Sequence, residues 1–303
     1  MWRCATRAAH AAEDEGGEPY QEVLAQAHVV LDRRTCAVDA VDAVLAAEAA
    51  RPFDLAGDLP LRALLLDLGP DDHVLALVVH HVATDGWSME RLLEDLATAY
   101  RARAAGEAPA FDPLPVQYAD YALWQRTLLG EEADPESLIG RQITYWRDTL
   151  QNLPVELSLP LDRPRPLHPQ RTVGVVPLAL PVDLIGRIEA LGRAHGATAF
   201  MVLHAAASAL LSRLGAGTDI AIGTVVAGRD DAALEALVGF FVNTLVLRLD
   251  LSGDPDFGSL VARSREVCLD AYVNQDVPFE RLVDALDPPR APGRQPLFQT
   301  MLV

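Results

Sequence analysis

Positive charge is scarce in this sequence: 25 Lys and Arg stand against 43 Asp and Glu in 303 residues, a formal net charge of −18. That balance argues against a nucleic-acid binder and against a protein drawn to an anionic membrane surface. The three cysteines, Cys4, Cys36 and Cys268, share no metal-type spacing, and their odd number supplies no disulfide framework. A reducing compartment is the simpler setting for them. No apolar run approaches the ~18–20 residues that cross a bilayer. The opening MWRCATRAAHAAEDEGG carries basic residues but no continuous apolar stretch, so it does not read as a secretory signal. The expectation is a soluble, cytoplasmic protein with neither nucleic acid nor membrane as partner. Aromatics are only 6% of the chain, which leaves Leu, Val and Ala as core material.

What is present is an ordinary globular composition, half apolar, with no repeat period. His73–Val82 (HVLALVVHHV) is nearly all apolar and predicts a strand covered on both faces. A short turn leads into a helix on which Met89, Leu92, Leu93, Leu96, Ala97 and Tyr100 share one side. Helical stretches follow over Val116–Leu129 and Gln142–Leu150. The Pro-rich stretch after Leu153, containing LPLDRPRPLHP, removes backbone donors and reads as a linker. Beyond it the pattern predicts a strand near Val173–Leu180 and helices over Val182–His195 and Thr198–Leu214. Strands over Asp219–Val226 and Val242–Leu249 come next, then a helical stripe from Phe257 to Tyr272. Alternating strands and helices make the class α/β. The expected organisation is a first subdomain at 1–153, a linker at 154–170 and a second subdomain at 171–303.

The segment that can carry chemistry is His80-His81-Val82-Ala83-Thr84-Asp85-Gly86-Trp87-Ser88. On a strand, His80 and His81 point to opposite faces, so one imidazole at most faces a given cavity. For the same reason they cannot chelate one ion together, and no third ligand has suggestive spacing, so no metal is expected. Asp85 fits a helix N-cap, and Gly86 can bring its N–H close to a bound carbonyl. Read from the residues alone, a hydrogen-bonded core histidine remains an alternative to a catalytic one.

HHVATDGWS resembles the HHxxxDG signature of nonribosomal peptide synthetase condensation domains. Further segments are similar to that family's motifs, in the family's order. Tyr118–Gln125 resembles YxDYAxW, and Ile222–Arg229 with Val238–Leu245 resembles IGTPxAGR…GFFVNTL. Asn274–Glu280 is similar to HQDxPFE, with Asn274 where the family usually has His, and Arg290 to Gln299 is similar to the RxxxxxPLFQ ending. Nothing resembles the family's SxAQxRLW and RHExLRT segments. The chain joins the pattern near Gly17–Val23 and stops after PLFQTMLV, so truncation at both ends is expected.

The resemblance implies two chloramphenicol acetyltransferase-like subdomains forming a V with a central channel, incomplete at both termini. It implies amide bond formation between a donor thioester and an acceptor amine. Both are carried on phosphopantetheine arms of donor and acceptor peptidyl carrier domains, beside an adenylation domain, with no cofactor bound by the domain itself. His81 is the expected channel residue, as general base or as positioner of the amine, and Gly86 a donor to the oxyanion or simply a turn glycine. His80 and Asp85 are expected to be structural, with Arg229 as candidate partner of Asp85 or as a solvent-facing residue. Trp87, Ser88, Asn243 and Gln299 are expected along the substrate channel, whereas Tyr118 and Trp124 are expected in the core. DGWS argues against an epimerization domain and the paired histidines against heterocyclization. An ester-forming variant, a recruitment module without catalysis and an inactive remnant stand as alternatives. Intact His81, Asp85 and Gly86 count against the recruitment module, because such modules tend to lose them.

Overall fold

The computed structural model describes residues 6–13, 19–24, 26–163, 173–289 and 294–303. Its contacts divide the chain into two compact units. One comprises the chain up to Arg126 together with Arg229–Phe241, and the other Thr127–Gly228 with Val242–Val303.

In the first unit, β1 (Thr6–Glu13) and β2 (Pro19–Val23) pair antiparallel as a hairpin. A separate sheet has the order β3-β4-β5, where β3 is Leu31–Thr35, β4 is Leu61–Asp67 and β5 is His73–Val79. β3 runs parallel to β4, which demands a crossover, and α1 (Val41–Ala50) lies within it. β4 and β5 form a hairpin with Leu61 opposite Val79 and Asp67 opposite His73. Period-two burial sends Leu64 and Leu66 of β4 into the core. Among the described residues β5 is an edge strand, and none of its own residues is buried, so the expectation of a strand covered on both faces does not hold. It also ends at Val79 rather than Val82. α2 (Gly86–Ala104) and α3 (Tyr118–Leu129) follow. Leu92 of α2 is buried, but Leu93 and Tyr100 of its apolar stripe are exposed, as is Trp124 of α3, which was expected in the core.

In the second unit, β6 (Asp219–Val226) pairs antiparallel with β7 (Asn243–Asp250) over their whole length. Gly223 continues this sheet through a parallel bridge to Met301. The helices are α4 (Leu138–Thr149), α5 (Val182–Ala194), α6 (Ala199–Leu211), α7 (Phe257–Val273) and α8 (Phe279–Leu286). Thr198 and Asp256 cap α6 and α7 by accepting the N–H three residues on. One apolar cluster joins Ile220, Ile222 and Leu249 of the sheet to Val202, Ala205, Leu260 and Val261. Another joins Leu245 and Leu247 to Trp146, Cys268, Phe279, Leu282 and Phe298. Each fully buried Leu or Ile contributes ~1.5–3 kcal/mol.

The division does not fall at the Pro-rich segment. Ile143, Trp146 and Leu150 pack in the β7–α8 core, which places α4 with the second unit. Hydrogen bonds from Arg229 and Phe241 to Asp85 place 229–241 with the first. Residues 164–170 of the expected linker lie outside the described residues. The expected strand at Val173–Leu180 forms no ladder among the described residues, because a Val- and Leu-rich run becomes a strand only against a neighbour. One stretch, Ala199–Ala216, is long and apolar enough by composition to cross a membrane, longer than the sequence reading allowed. It is α6 and the turn after it, and Met201, Val202, His204 and Ala205 lie buried in the second unit.

Candidate active site on the turn between β5 and α2

β5 delivers the two histidines into a 3-10 turn, His81–Ala83, and not onto a strand. His80 is still extended, and its Nδ1 accepts the Val82 N–H at 3.1 Å, capping the turn. That bond requires Nδ1 to be unprotonated, so a neutral ring carries its hydrogen on Nε2. The His80 N–H donates to Pro60 O at 2.9 Å, and the ring stands nearly perpendicular to Phe53 at 5.7 Å. The histidines do separate, but by a cap and a turn rather than by strand alternation. His81 points outward and is exposed, with its ring perpendicular to Phe240 at 5.2 Å.

Asp85 holds this turn to the start of α2. It is 2% exposed; Oδ1 accepts Ser88 N–H at 2.8 Å as an N-cap, and Oδ2 accepts Phe241 N–H at 3.0 Å. Burial pushes its carboxyl up, but those bonds, the Ser88 side chain and the Arg229 charge outweigh burial and hold it below the usual carboxylate range. Arg229 reaches Asp85 Oδ1 at 3.4 Å and donates to Ser88 Oγ at the shorter distance of 2.7 Å. Its other Nη binds Leu234 O and Leu237 O, and its guanidinium lies 4.0 Å over the Phe241 ring. The expected Asp85–Arg229 pairing is therefore present, and Arg229 is not solvent-facing.

Ser88 is the first correction among the channel residues. It has no exposed surface; its hydroxyl donates to Gly239 O at 2.8 Å and accepts from Arg229 and from Gly239 N. A small hydroxyl at the first turn of α2 suits this junction, and none of its capacity is left for a substrate. Trp87 is 47% exposed and Gly86 is exposed. A Cβ built on Gly86 meets nothing within 4 Å, and its φ lies outside the left-handed region. Neither backbone strain nor a protein neighbour therefore demands glycine there. The first N–H groups of a helix lack intrahelical partners and favour negative charge.

Asn243 and Gln299, in the second unit, are structural clamps in their hydrogen bonding. Asn243 Nδ2 donates to Gln275 O at 2.7 Å and Val277 O at 2.8 Å, and its Oδ1 accepts from Thr244 N and Phe279 N. All four hydrogen-bonding positions of the amide are occupied, which ties β7 to the Asn274–Glu280 segment. Gln299 uses Oε1 for Leu157 N and Nε2 for Val155 O. Asn274 accepts Trp146 Nε1–H on its backbone O at 2.8 Å, while its amide bonds Asp270 O. A cavity of about 930 Å³ in this unit is lined by Arg147, Phe279, Asp284 and Leu297 among others, and by none of the expected site residues.

Sequence reasoning missed the aromatic support. Tyr118 donates its OH to Phe240 O at 2.7 Å, its ring packs against Gly239 and Phe241, and so it fixes the loop that carries Phe240 to His81. Phe53 beneath His80 was missed likewise. The GFF triplet was visible in the sequence, but nothing in it signalled contact with the histidine turn. Among the described residues no group of three metal-ligating side chains converges.

Residues 9–303 match the sequence model of the Condensation domain family. The chain belongs to that family. The dimodular nonribosomal peptide synthase of Bacillus subtilis (strain 168) is 54% identical over 257 residues, which is 84% of this chain and 11% of that protein. This condensation chain thus spans about a ninth of that curated relative. Among solved structures, the X-domain in complex with OxyB from teicoplanin biosynthesis is similar at 37% identity and a TM-score of 0.91, over 99% of this chain and 65% of that one. The first condensation domain of the calcium-dependent antibiotic synthetase shares the fold at a TM-score of 0.73 and 22% identity, over 99% of this chain and 68% of that one.

Proposed function

We propose that this condensation domain joins a donor acyl or peptidyl thioester to an acceptor aminoacyl amine in nonribosomal peptide synthesis. Both substrates ride on the phosphopantetheine arms of carrier domains, next to an adenylation domain. The observation that carries this reading is an exposed His81 imidazole on a turn locked by the buried Asp85–Ser88–Arg229 network, just ahead of Gly86, the exposed first residue of α2.

The acceptor nitrogen attacks the thioester carbonyl carbon, a C–N bond forms, and the carbonyl electrons move onto oxygen. On collapse the C–S bond breaks and the donor arm leaves as a thiolate. His81 orients the amine, takes the proton the nitrogen sheds, and returns it to the departing sulfur. The Gly86 N–H faces the developing oxyanion. Asp85 and Arg229 touch no reacting atom and hold the turn. Asn243 and Gln299 have no place in the step.

The test loads donor and acceptor carrier domains, adds the chain, and seeks the peptidyl-acceptor product by mass spectrometry. Product with wild type and its loss with His81→Ala are expected; equal turnover of the two would overturn the role of His81. A pH–rate profile separates base from positioner, since a base imposes an acid limb that disappears in the variant. A second reading, a recruitment module, is supported by the likeness to an X-domain solved with OxyB. Intact His81, Asp85 and Gly86 oppose it, and absence of product with every correctly loaded carrier pair would favour it.

A further inference from the structure

Behind His80 lies a stack that the signature motif does not include. Arg62 of β4 places its guanidinium carbon 3.7 Å over the Phe53 ring, and Phe53 in turn stands against His80 at 5.7 Å. Four hydrogen bonds fix that guanidinium. Nε donates to Glu48 Oε1 at 3.0 Å, Nη1 to Pro52 O at 3.1 Å, and Nη2 to Glu48 O at 3.1 Å and Arg51 O at 2.8 Å. Glu48 is 7% exposed and also meets Arg51 at 2.7 Å. The end of α1 and the segment to Phe53 are thus strapped to β4 by one planar cation, a task the three-donor ammonium of lysine performs poorly. His80 is then fixed twice over. Its backbone is tied to Pro60, two residues before Arg62, and its ring is held by Phe53 in the orientation that lets Nδ1 cap the His81–Ala83 turn.

We infer that Arg62 and Phe53 are positioning residues for His81, acting through the His80 cap. This rests on the proposed role of His81. Neither residue touches the reacting atoms. Their effect is to keep one rotamer of His80, and through it one geometry of the turn that aims the next imidazole. A misplacement of about 1 Å costs up to ~10²-fold in rate, so turnover depends on the stack more than substrate binding does.

The test compares Phe53→Leu, which removes the ring, with Phe53→Tyr, which keeps it, and adds Arg62→Lys. Two readouts are taken. In the carrier-loaded assay, Phe53→Leu and Arg62→Lys lower kcat about tenfold with little change in KM, and Phe53→Tyr retains wild-type turnover. Independently of turnover, nitrogen NMR reports the His80 Nδ1 acceptor state, and hydrogen exchange reports the Val82 amide. Loss of the cap speeds that exchange about five- to tenfold. If Val82 exchange and the Nδ1 signal stay unchanged in Phe53→Leu and Arg62→Lys while the melting temperature falls, the two residues are structural only and the inference fails. If wild type makes no product, the proposed reaction fails, and the NMR and exchange measurements still decide whether the stack sets the turn. If the cap is lost and kcat is unaffected, positioning is overturned.

Discussion

Ser88 and Arg229 stand 141 positions apart in sequence and share a 2.7 Å hydrogen bond in an interior that leaves Ser88 no exposed surface. The same guanidinium nitrogen lies 3.4 Å from Asp85, so the serine is its nearer partner. The aspartate of the HHxxxDG signature is therefore one member of a three-residue lock that joins the start of α2 to the 229–241 segment.

That lock sets a rank order of stability losses. Ser88→Ala strands the Gly239 N–H and C=O together with one Arg229 donor, a cost of about 1–3 kcal/mol. Arg229→Ala leaves the Asp85 carboxylate without its charge partner and costs more, about 3–5 kcal/mol. Arg229→Lys falls between them, because an ammonium cannot serve Leu234 O, Leu237 O and Ser88 Oγ together. Urea unfolding measures all three, and an Arg229→Ala variant within 1 kcal/mol of wild type would show that the lock contributes little.

His81 behaves in the opposite way. Its ring is exposed and has no hydrogen-bond partner among the described residues. His81→Ala is expected to shift stability by no more than ~0.5 kcal/mol. Turnover falls ~10²–10⁴-fold if the imidazole is a base. Thermal melting and product formation measured on one preparation separate the two effects. Equal losses of stability and activity would mean that the ring serves the fold rather than the reaction.

His204 ties part of the stability to pH on the acid side. Burial on α6 pushes its pKa from 6.5 down to about 4, and its Nδ1 is held 2.8 Å from Ser264 Oγ. As pH falls below 6.5 the unfolded chain takes up this proton and the folded chain does not, so stability is lost down to about pH 4 and then levels off. A gap of that size corresponds to about 3 kcal/mol. Asp85 has the other common sign: its carboxyl is lowered, so its contribution is present above the ordinary carboxylate range and disappears as pH falls through its depressed value. Urea midpoints of wild type and His204→Gln from pH 7 to pH 4 test this. The variant is expected to lose most of the slope above pH 4, and an undiminished slope would assign it to other groups.

Periodicity makes much of the fold legible. The sequence pattern places β6 at its observed ends, and β7 and α7 within a residue or so, because β-branched runs mark the strands and an apolar stripe marks the helix. The pattern misled where an interaction across sequence or a local cap decides the outcome. HVLALVVHHV reads as one strand, yet the His80 side chain bonds the Val82 N–H and turns the chain before the apolar run ends. Val173–Leu180 is rich in Val and Leu like a strand and finds no ladder partner among the described residues. Asn243 and Ser88, which are polar and beside signature residues, looked like substrate contacts; their hydrogen bonds are spent on backbone and side chains distant in sequence, which spacing cannot reveal.

The tail beyond Phe298 offers a packing test. Gly223 of β6 donates to Thr300 O at 2.9 Å and accepts from Leu302 N at 2.9 Å, and the Phe298 ring lies over its α-carbon. A Cβ at Gly223 would sit 2.5–2.7 Å from three atoms of that ring. Phe298 is 5% exposed and packs against Phe279, so it has little room to withdraw. Gly223→Ala is therefore expected to cost about 1–3 kcal/mol by overpacking. It should also speed hydrogen exchange at the Leu302 amide, which depends on the Gly223 carbonyl. Phe298→Leu alone destabilises through the lost ring, but in the double variant the clash is relieved, so the two costs sum to more than the measured loss. Strict additivity would mean that glycine is required at Gly223 for a reason other than this ring.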